Sequence, residues 1–234
     1  MEKIKVDNLS FSYPSSDKLA LDSVSLSIPE SEFVVLCGKS GCGKSTLLRH
    51  LKKSMNPYGN KFGSVCFDGK EIDEMNDRDA ASKIGYVQQN PDNQLVTDKV
   101  WHELAFGLES LGYSNSVIKR RVAEMASYFG IQTWFRKSVS ELSGGQKQLL
   151  NLASVMAMQP EVLILDEPAS QLDPIAARDF LSTVHRLNRE LGVTIVISEH
   201  RLEEIFPLAD RAIVMDEGRI IANARPSEVA IQLA

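Results

Sequence analysis

Residues 38–46 read Gly38-Lys39-Ser40-Gly41-Cys42-Gly43-Lys44-Ser45-Thr46. This run satisfies the phosphate-loop pattern G-x-x-x-x-G-K-[ST], in which glycines let successive backbone N–H groups turn toward one phosphate chain. A helix that begins at the loop adds the positive end of its dipole. In this pattern Lys44 reaches the β- and γ-phosphates, and the Ser45 hydroxyl binds Mg²⁺. The run therefore predicts a nucleotide-phosphate site.

The segments on either side of the loop supply the context that the pattern requires. Before it, residues 33–36 form a continuous apolar run, which is typical of a central strand in a parallel sheet. After it, Leu47, Leu48 and Leu51 fall on one side of a predicted helix. A glycine-rich turn without a ligand is the alternative, and this strand–loop–helix order disfavours it.

A second apolar strand, residues 162–165, ends in the two acids Asp166 and Glu167. Open α/β sheets bind ligands at the carboxyl ends of their strands, so both acids should lie near the phosphate loop. Asp166 is then a candidate Mg²⁺ ligand, and Glu167 is placed to polarise an attacking water. Two adjacent carboxylates also end ordinary surface strands, so this hypothesis depends on its pairing with the loop.

Hydrophobic patterning divides the chain into three parts. Residues 1–91 carry strand patterns and an Asp68-Gly69 turn that predicts a small hairpin. Residues 92–158 read as helical, and residues 159–234 return to alternating strands and helices. This order predicts an α/β protein in which a helical lobe, residues 92–158, is inserted into a parallel-sheet core.

Composition limits the possible functions. The 234 residues carry a net charge of −5, which argues against a duplex-DNA binder. No stretch approaches the roughly 20 apolar residues needed to span a bilayer, and the first residues lack the apolar core of a signal peptide. Three cysteines, an odd number without metal-ligand spacing, favour reduced thiols over a disulfide framework. A transport role would therefore need a separate membrane partner.

A third motif, Leu142-Ser143-Gly144-Gly145-Gln146, precedes an amphipathic helical pattern. Its glycines expose N–H groups at a helix start and its serine adds a hydroxyl, so an anion site is plausible there. Alone, Ser-Gly-Gly is only a flexible loop. Between the phosphate loop and the acidic strand, however, it matches the signature motif of the ABC ATPases, and the sequence resembles that family over essentially its whole length.

The resemblance implies roles for residues outside these motifs. Tyr13 matches the aromatic residue that stacks on adenine, with simple packing of a turn as the alternative. Residues 84–91 resemble the Q-loop, whose glutamine senses Mg²⁺ and water; this is Gln89, with Gln88 as the other choice. His200 resembles the switch histidine that contacts the γ-phosphate, although a lone histidine is more often structural.

The family also implies a fold, two cofactors and a working assembly. The fold would be a P-loop NTPase (RecA-like) core with an N-terminal antiparallel β subdomain and an inserted α-helical subdomain. ATP and Mg²⁺ would bind, and two such domains would pack head to tail, with the signature of one closing on the other's ATP. The implied catalytic residues are Glu167, His200 and Gln89. The implied metal contacts are Ser45, Gln89 and Asp166. The implied contacts to the partner's nucleotide are Ser143, Gly144, Gly145 and Gln146.

Residues 9–14 and 89–94 further resemble the ATPases of energy-coupling factor (ECF) importers, which take up vitamins and transition-metal ions. In that family an acidic segment after the Q-loop meets arginines of a transmembrane T component. Asp92 matches that segment, Asn93 stands where a second acid is common, and Leu149 replaces a frequent arginine. The resemblance implies a second ATPase subunit, a T-type subunit and a small substrate-binding membrane subunit as partners, no nucleic acid, and a peripheral location on the cytoplasmic membrane face.

Three other functions stay open from the sequence. The chain could serve another importer or exporter class, or act on ribosomes or DNA as a soluble ABC protein. The latter usually carry twin ATPase domains, long coiled-coil insertions or basic tracts, none of which this sequence shows. A module that binds ATP without turnover is the third, and the presence of Glu167 and His200 argues against it.

Overall fold

The chain folds into two β-sheets, with helices packed on both faces of the larger one. The structure is a computed structural model that describes residues 2–14, 16 and 18–233, with only the backbone of residues 232 and 233. The strands are β1 (Glu2–Ser12), β2 (Leu21–Pro29), β3 (Phe33–Cys37), β4 (Asn60–Phe67), β5 (Lys70–Glu71), β6 (Ile84–Val87), β7 (Val162–Asp166), β8 (Thr194–Ser198), β9 (Arg211–Asp216) and β10 (Arg219–Ala224). The helices are α1 (Lys44–His50), α2 (Asp77–Lys83), α3 (Val100–Ser110), α4 (Asn115–Tyr128), α5 (Gly144–Ala157), α6 (Pro174–Leu191), α7 (Leu202–Ile205) and α8 (Pro226–Leu233).

The smaller sheet is antiparallel and comes from the first third of the chain, in the order β2-β1-β4-β5. In β2, Val24, Leu26 and Ile28 are buried and alternate with more exposed serines, as the period of two predicts. The hairpin predicted at Asp68-Gly69 is present, but β4 begins at Asn60, before the apolar part of its sequence. Residues at the start of β4 are in the strand because their backbone pairs with β1. They show no apolar alternation, so the sequence does not predict this part of the strand.

The larger sheet has the order β10-β9-β3-β8-β7-β6 and is parallel except at β10. Strands β3, β7 and β8 are buried along their whole length, which explains their continuous apolar runs. Because β3, β6, β7 and β8 run in the same direction, the loops that follow them meet at one edge of the sheet. The phosphate loop, the glutamines of the Q-loop, Glu167 and His200 belong to those loops, and Asp166 is the last residue of β7.

The hydrophobic core has two parts, one on each face of the parallel sheet. Phe33 and Val35 face the helices, whereas Val34 and Leu36 face α1 and the antiparallel sheet. Helices α3, α4 and α5 lie in the crossover between the paired strands β6 and β7. They pack in the same part of the core as Phe33 and Val35. Within the part of the chain that the structure describes, no helix is both long and apolar enough to cross a membrane.

The architecture confirms the predicted α/β class, with an antiparallel sheet beside a parallel one and helices between β6 and β7. The division into a core of residues 1–91 and 159–234 and a lobe of residues 92–158 stays a prediction. The terminal residues of that division, Met1 and Ala234, lie outside the described residues.

Candidate nucleotide site

The phosphate loop joins the end of β3 to the start of α1. Its three glycines adopt positive φ: 141° at Gly38, 78° at Gly41 and 106° at Gly43. A β-carbon on Gly38 would overlap the carbonyl oxygen of Met215, and one on Gly43 would lie 2.6 Å from that of Ala20. Both conformation and close approach therefore require glycine at positions 38 and 43.

Lys44 points its ammonium group back into the loop. Nζ donates to the carbonyl oxygens of Gly38 at 2.9 Å and Lys39 at 3.1 Å, and it lies 4.0 Å from Oε1 of Glu167. The residue is only 4% exposed. A buried cation held by carbonyls next to an acid is a strong attractor for a phosphate group.

Cys42 lies within the loop, yet its side chain is 5% exposed and belongs to the hydrophobic core. Its backbone is braced from outside the loop, because the Gly218 N–H in the β9–β10 turn donates to the Cys42 carbonyl at 3.0 Å. The buried thiol of Cys42 is therefore not available to a phosphate.

Ser45 and Asp166 form a pair of oxygen donors. Ser45 Oγ donates to Asp166 Oδ1 at 2.8 Å, and the same carboxylate accepts from Ser198 Oγ at 2.9 Å and from the Tyr86 hydroxyl at 3.1 Å. Burial, together with the charge of Asp166, raises the pKa of Tyr86, so the phenol remains a donor. Hydroxyl and carboxylate oxygens suit Mg²⁺, which completes its shell with water and substrate phosphates.

Glu167 contacts the two other residues predicted to be catalytic, His200 and Gln89. Its Oε1 lies 2.8 Å from Nε2 of His200, and its Oε2 accepts from Nε2 of Gln89 at 3.4 Å. Of the two candidate glutamines, Gln89 is thus the one whose amide reaches the acid. The carboxylate therefore lies between a histidine, an amide and the Lys44 ammonium.

The backbone of Glu167 is held in an uncommon conformation. Its φ of 47° falls in the left-handed region, which costs a residue other than glycine about 1 kcal/mol or more. The Glu167 N–H donates to the Ser198 carbonyl at 3.1 Å and to Ser198 Oγ at 3.0 Å. These bonds aim the side chain away from the end of β7 and toward the loop after β8.

Tyr13 lies beside the start of α1. Its hydroxyl is 3.2 Å from Oγ1 of Thr46, and its ring meets that of Phe11 edge to face at 4.9 Å. The ring is half-buried, so part of it can face a ligand. Stacking on adenine stays a prediction.

The signature residues lie at the start of α5. Ser143 caps the helix: its Oγ accepts from the Gln146 N–H at 3.3 Å, and Gln146 Oε1 accepts from the Ser143 N–H at 3.0 Å. A β-carbon on Gly144 would meet no atom within 4 Å, so the helix start is open on that side. Among the described residues, no hydrogen bond or ion pair joins residues 143–146 to the phosphate loop, and the two motifs form separate surfaces.

Several residues at this site have no motif of their own in the sequence. Ser198 reads only as the end of a buried strand, and Tyr86 lies in the Q-loop stretch without a predicted role, although both donate to Asp166. Glu199 is 1% exposed and accepts from the His200 N–H at 2.8 Å. Burial raises the pKa of Glu199, as expected for a buried acid with no cationic side chain bonded to it. Its position beside His200 is the signal that could have found it.

Comparison with known proteins gives one consistent result. A family model described as ABC transporter matches residues 21–170, more than half of the chain. A relative from Bacillus thuringiensis subsp. konkukian, named as an ABC transporter ATP-binding protein, is 50% identical over 229 residues, which cover 98% of this chain and 42% of the relative. The chain thus spans less than half the length of that curated relative.

Two solved structures are similar along nearly their whole length. CbiO1 of Clostridium perfringens, described as part of the ABC transporter complex cbiONQ, superposes with a TM-score of 0.89 at 32% identity, covering 100% of this chain and 92% of that one. A bacterial ABC transporter cassette solved as a dimer superposes with a TM-score of 0.82 at 25% identity, covering 95% of this chain and 98% of the other.

Proposed function

The chain belongs to the ABC transporter family of ATP-binding cassettes, and we propose that it is the ATP-hydrolysing motor subunit of a membrane transporter, specifically an ECF-type importer of vitamins or transition-metal ions. The observation that carries the hydrolytic part is the carboxylate of Glu167, which has His200, Gln89 and Lys44 around it. A binding-only module has no need of a base aimed at the position where a water would attack.

The proposed chemistry is positioning and electrostatic stabilisation. The loop N–H groups and the α1 dipole hold the phosphates of ATP, and Lys44 leaves its own loop carbonyls for the β- and γ-phosphates. Ser45 and Asp166 would hold Mg²⁺, which neutralises phosphate charge when bound. Glu167 orients and polarises the attacking water, while His200 and Gln89 keep that carboxylate in place.

A head-to-tail pair of cassettes completes the proposed site. The signature surface, residues 143–146, lies apart from the phosphate loop of the same chain and presents an open helix start. That geometry suits a γ-phosphate held by another cassette, and the similar bacterial cassette was solved as a dimer. The second cassette is either another copy of this chain or a different one.

Three features support a membrane partner of the ECF type. One is the likeness to CbiO1, itself part of a transporter complex. The second is a cleft of about 340 Å³ between α2, β6, α3 and α5, which is lined in part by Gln94, Phe106 and Met158. The third is apolar exposure on α3 and in the segment before it: Phe106, which lines the cleft, is 43% exposed, Trp101 44% and Val96 63%. These side chains offer a coupling helix an apolar seat on the cytoplasmic membrane face.

Asp92 would give that seat a charged anchor. Its side chain is 62% exposed and pairs with Nζ of Lys147 on α5 at 2.7 Å. An arginine of a T-type subunit would therefore have to displace Lys147 from Asp92, because Asp92 is already paired. The family model and the curated relative name only an ABC transporter, so another importer or exporter class is the alternative.

The test is to tag the Glu167→Gln chain in its native host, trap it with ATP and identify co-purifying proteins by mass spectrometry. The matched control is Lys44→Ala, which should bind ATP poorly and not be trapped. A T-type subunit, a second ATPase and small membrane subunits that depend on ATP support the proposal. Recovery of a conventional permease pair would support the motor function and contradict the ECF assignment. Recovery of ribosomal or DNA-repair proteins alone would contradict a role in transport.

A further inference from the structure

Gln148 is a fully buried polar residue in the second turn of α5, two positions after the signature. Its Nε2 donates to the carbonyl oxygens of Gln88 at 3.0 Å and of Pro168 at 2.9 Å. Both partners can only accept, so the amide nitrogen must face them. The side-chain amide of Gln148 therefore donates one hydrogen bond to each of two backbone segments that are distant in sequence.

The two carbonyls flank the catalytic constellation. Gln88 directly precedes Gln89, and Pro168 directly follows Glu167. The side chains of Gln89 and Glu167 meet at 3.4 Å, so one amide group clamps the backbones on which that contact depends. A shift of either segment would change the direction of the carboxylate.

The strained backbone of Glu167 makes this clamp more than ordinary core bonding. A residue at φ 47° keeps its conformation only where its surroundings over-determine it. Ser198 holds the N–H of Glu167, and Gln148 holds the next carbonyl along the chain. The acid is thus fixed from the β8 side and from the α5 side.

A second contact one turn further along α5 reinforces the link to the Q-loop. Asn151 Nδ2 donates to Oε1 of Gln94 at 3.0 Å, and that oxygen also accepts from the Gln88 N–H at 2.9 Å. Gln94 Nε2 in turn donates to the Tyr86 carbonyl at 2.8 Å. The helix that begins with the signature therefore holds the Gln88 carbonyl directly through Gln148 and the Gln88 N–H indirectly, through Asn151 and Gln94.

From these contacts we infer that Gln148 is a positioning residue for ATP hydrolysis, which holds Glu167 and Gln89 in register and ties them to the signature helix of the same chain. This inference rests on the proposed hydrolytic function. It also gives the signature a second consequence. Any movement of α5 caused by a neighbouring cassette's nucleotide is passed through Gln148 to the Glu167 carboxylate of this chain.

The chain offers a matched control for removing Gln148. Asn188 on α6 is 3% exposed, and its Nδ2 likewise donates to two carbonyls, those of Ser31 at 2.8 Å and Val193 at 2.9 Å. Those bonds lie outside the nucleotide site. The near-isosteric changes Gln148→Met and Asn188→Leu thus remove the same pattern of buried hydrogen bonds at two places.

The experiment measures kcat, the ATP dissociation constant and Tm for the full chain, Gln148→Met, Asn188→Leu and Gln148→Asn, whose shorter polar side chain cannot span both carbonyls. We expect both Gln148 variants to lose about tenfold to a hundredfold in kcat, the range expected for a misplaced catalytic group, with ATP affinity changed by less than about twofold. Asn188→Leu should lose stability but keep its kcat. Adding Gln148→Met to Glu167→Gln should cause little further loss, because both act through one carboxylate.

Wild-type kcat in both Gln148 variants, a parallel loss of ATP affinity, or fully additive losses with Glu167→Gln would overturn this inference and leave the ATPase proposal intact. An unmodified chain that hydrolyses no ATP would contradict the proposed function itself. The two failures are therefore distinguishable in one set of assays.

Discussion

The carboxylate of Glu167 lies 2.8 Å from the imidazole of His200, although 33 residues separate them in sequence. The contact exists because β7 and β8 are adjacent and parallel, so both residues emerge at the same edge of the sheet. It brings the imidazole of His200 into direct contact with the acid proposed to polarise water.

The first prediction concerns this pair. Glu167→Gln should lower the rate of ATP hydrolysis by about a hundredfold or more, because it removes a general base, while ATP binding persists. Phosphate release and equilibrium nucleotide binding measure the two effects. His200→Ala should also slow hydrolysis, and the double variant should be little worse than Glu167→Gln alone. A Glu167→Gln chain with unchanged turnover would remove Glu167 from the mechanism.

The second prediction concerns the turn that braces the phosphate loop. Gly218 has φ 80°, donates to the Cys42 carbonyl, and would place a β-carbon 2.9 Å from the Ala20 carbonyl oxygen. Gly218→Ala should therefore shift the loop and weaken ATP binding by about tenfold, which corresponds to about 1.4 kcal/mol.

Gly69→Ala is the control for Gly218→Ala. Gly69 has a similar φ of 76°, but a β-carbon there meets no atom within 4 Å. It should cost a similar backbone strain and leave ATP affinity unchanged. Isothermal titration with ATP and thermal unfolding separate the two effects. Equal ATP affinities in the two variants would argue that the β9–β10 turn does not support the loop.

The local patterns were sufficient for most of this fold, because buried parallel strands leave continuous apolar runs. The apolar runs of residues 33–36 and 162–165 each form a strand of the parallel sheet, as predicted. Helix α6 begins at Pro174 because Asp173 caps its start, and it ends at Leu191 because Gly192 adopts a φ of 69°. The extension of β4 was missed because backbone pairing made it.

Site residues could be predicted where a motif places several functional side chains within a few consecutive residues. Lys44, Ser45 and Asp166 could be found in that way, and the structure brings them together. Gln148 could not, because its role depends on which buried backbone groups lie opposite it. No local pattern specifies that a glutamine on α5 faces the carbonyls of Gln88 and Pro168.

The third prediction follows from the buried acid Glu199. Burial raises its pKa above the ordinary value of 4.5, so the folded state binds more protons than the unfolded state between 4.5 and the raised value. Stability then falls as pH rises through that window, and the loss is complete above it. Glu199→Gln, which can still accept from the His200 N–H, should therefore raise Tm at pH 7.5 by roughly 2–4 °C.

The gain in Tm from Glu199→Gln should shrink as the pH is lowered toward 4.5, because the raised pKa leaves wild-type Glu199 more than half protonated there. Thermal unfolding of both proteins at several pH values provides the measurement. Glu141→Gln is the control, because Glu141 is an exposed acid that also accepts from a backbone N–H, that of Ser138 at 2.7 Å. A gain in Tm that is independent of pH would assign the effect to something other than the charge of Glu199.

The fourth prediction concerns the ion pair of Asp92 and Lys147, whose side chains are 62% and 21% exposed. Because exposed ion pairs contribute about 0–1 kcal/mol, Asp92→Asn and Lys147→Met should each change stability very little. Their effects on partner capture should differ in sign. Asp92→Asn removes the proposed anchor for a partner's arginine, whereas Lys147→Met frees that anchor from its competitor.

Capture in the Glu167→Gln background, at matched expression, is the measurement for this pair. Asp92→Asn should recover less of the membrane partner, and Lys147→Met as much or more. Glu124→Gln breaks another exposed pair, with Arg120 on α4, and should recover the unchanged amount. If both Asp92→Asn and Lys147→Met reduce recovery equally, the ion pair itself, rather than a free carboxylate, is what the partner requires. The exchange of Lys147 for a partner's arginine would then be wrong.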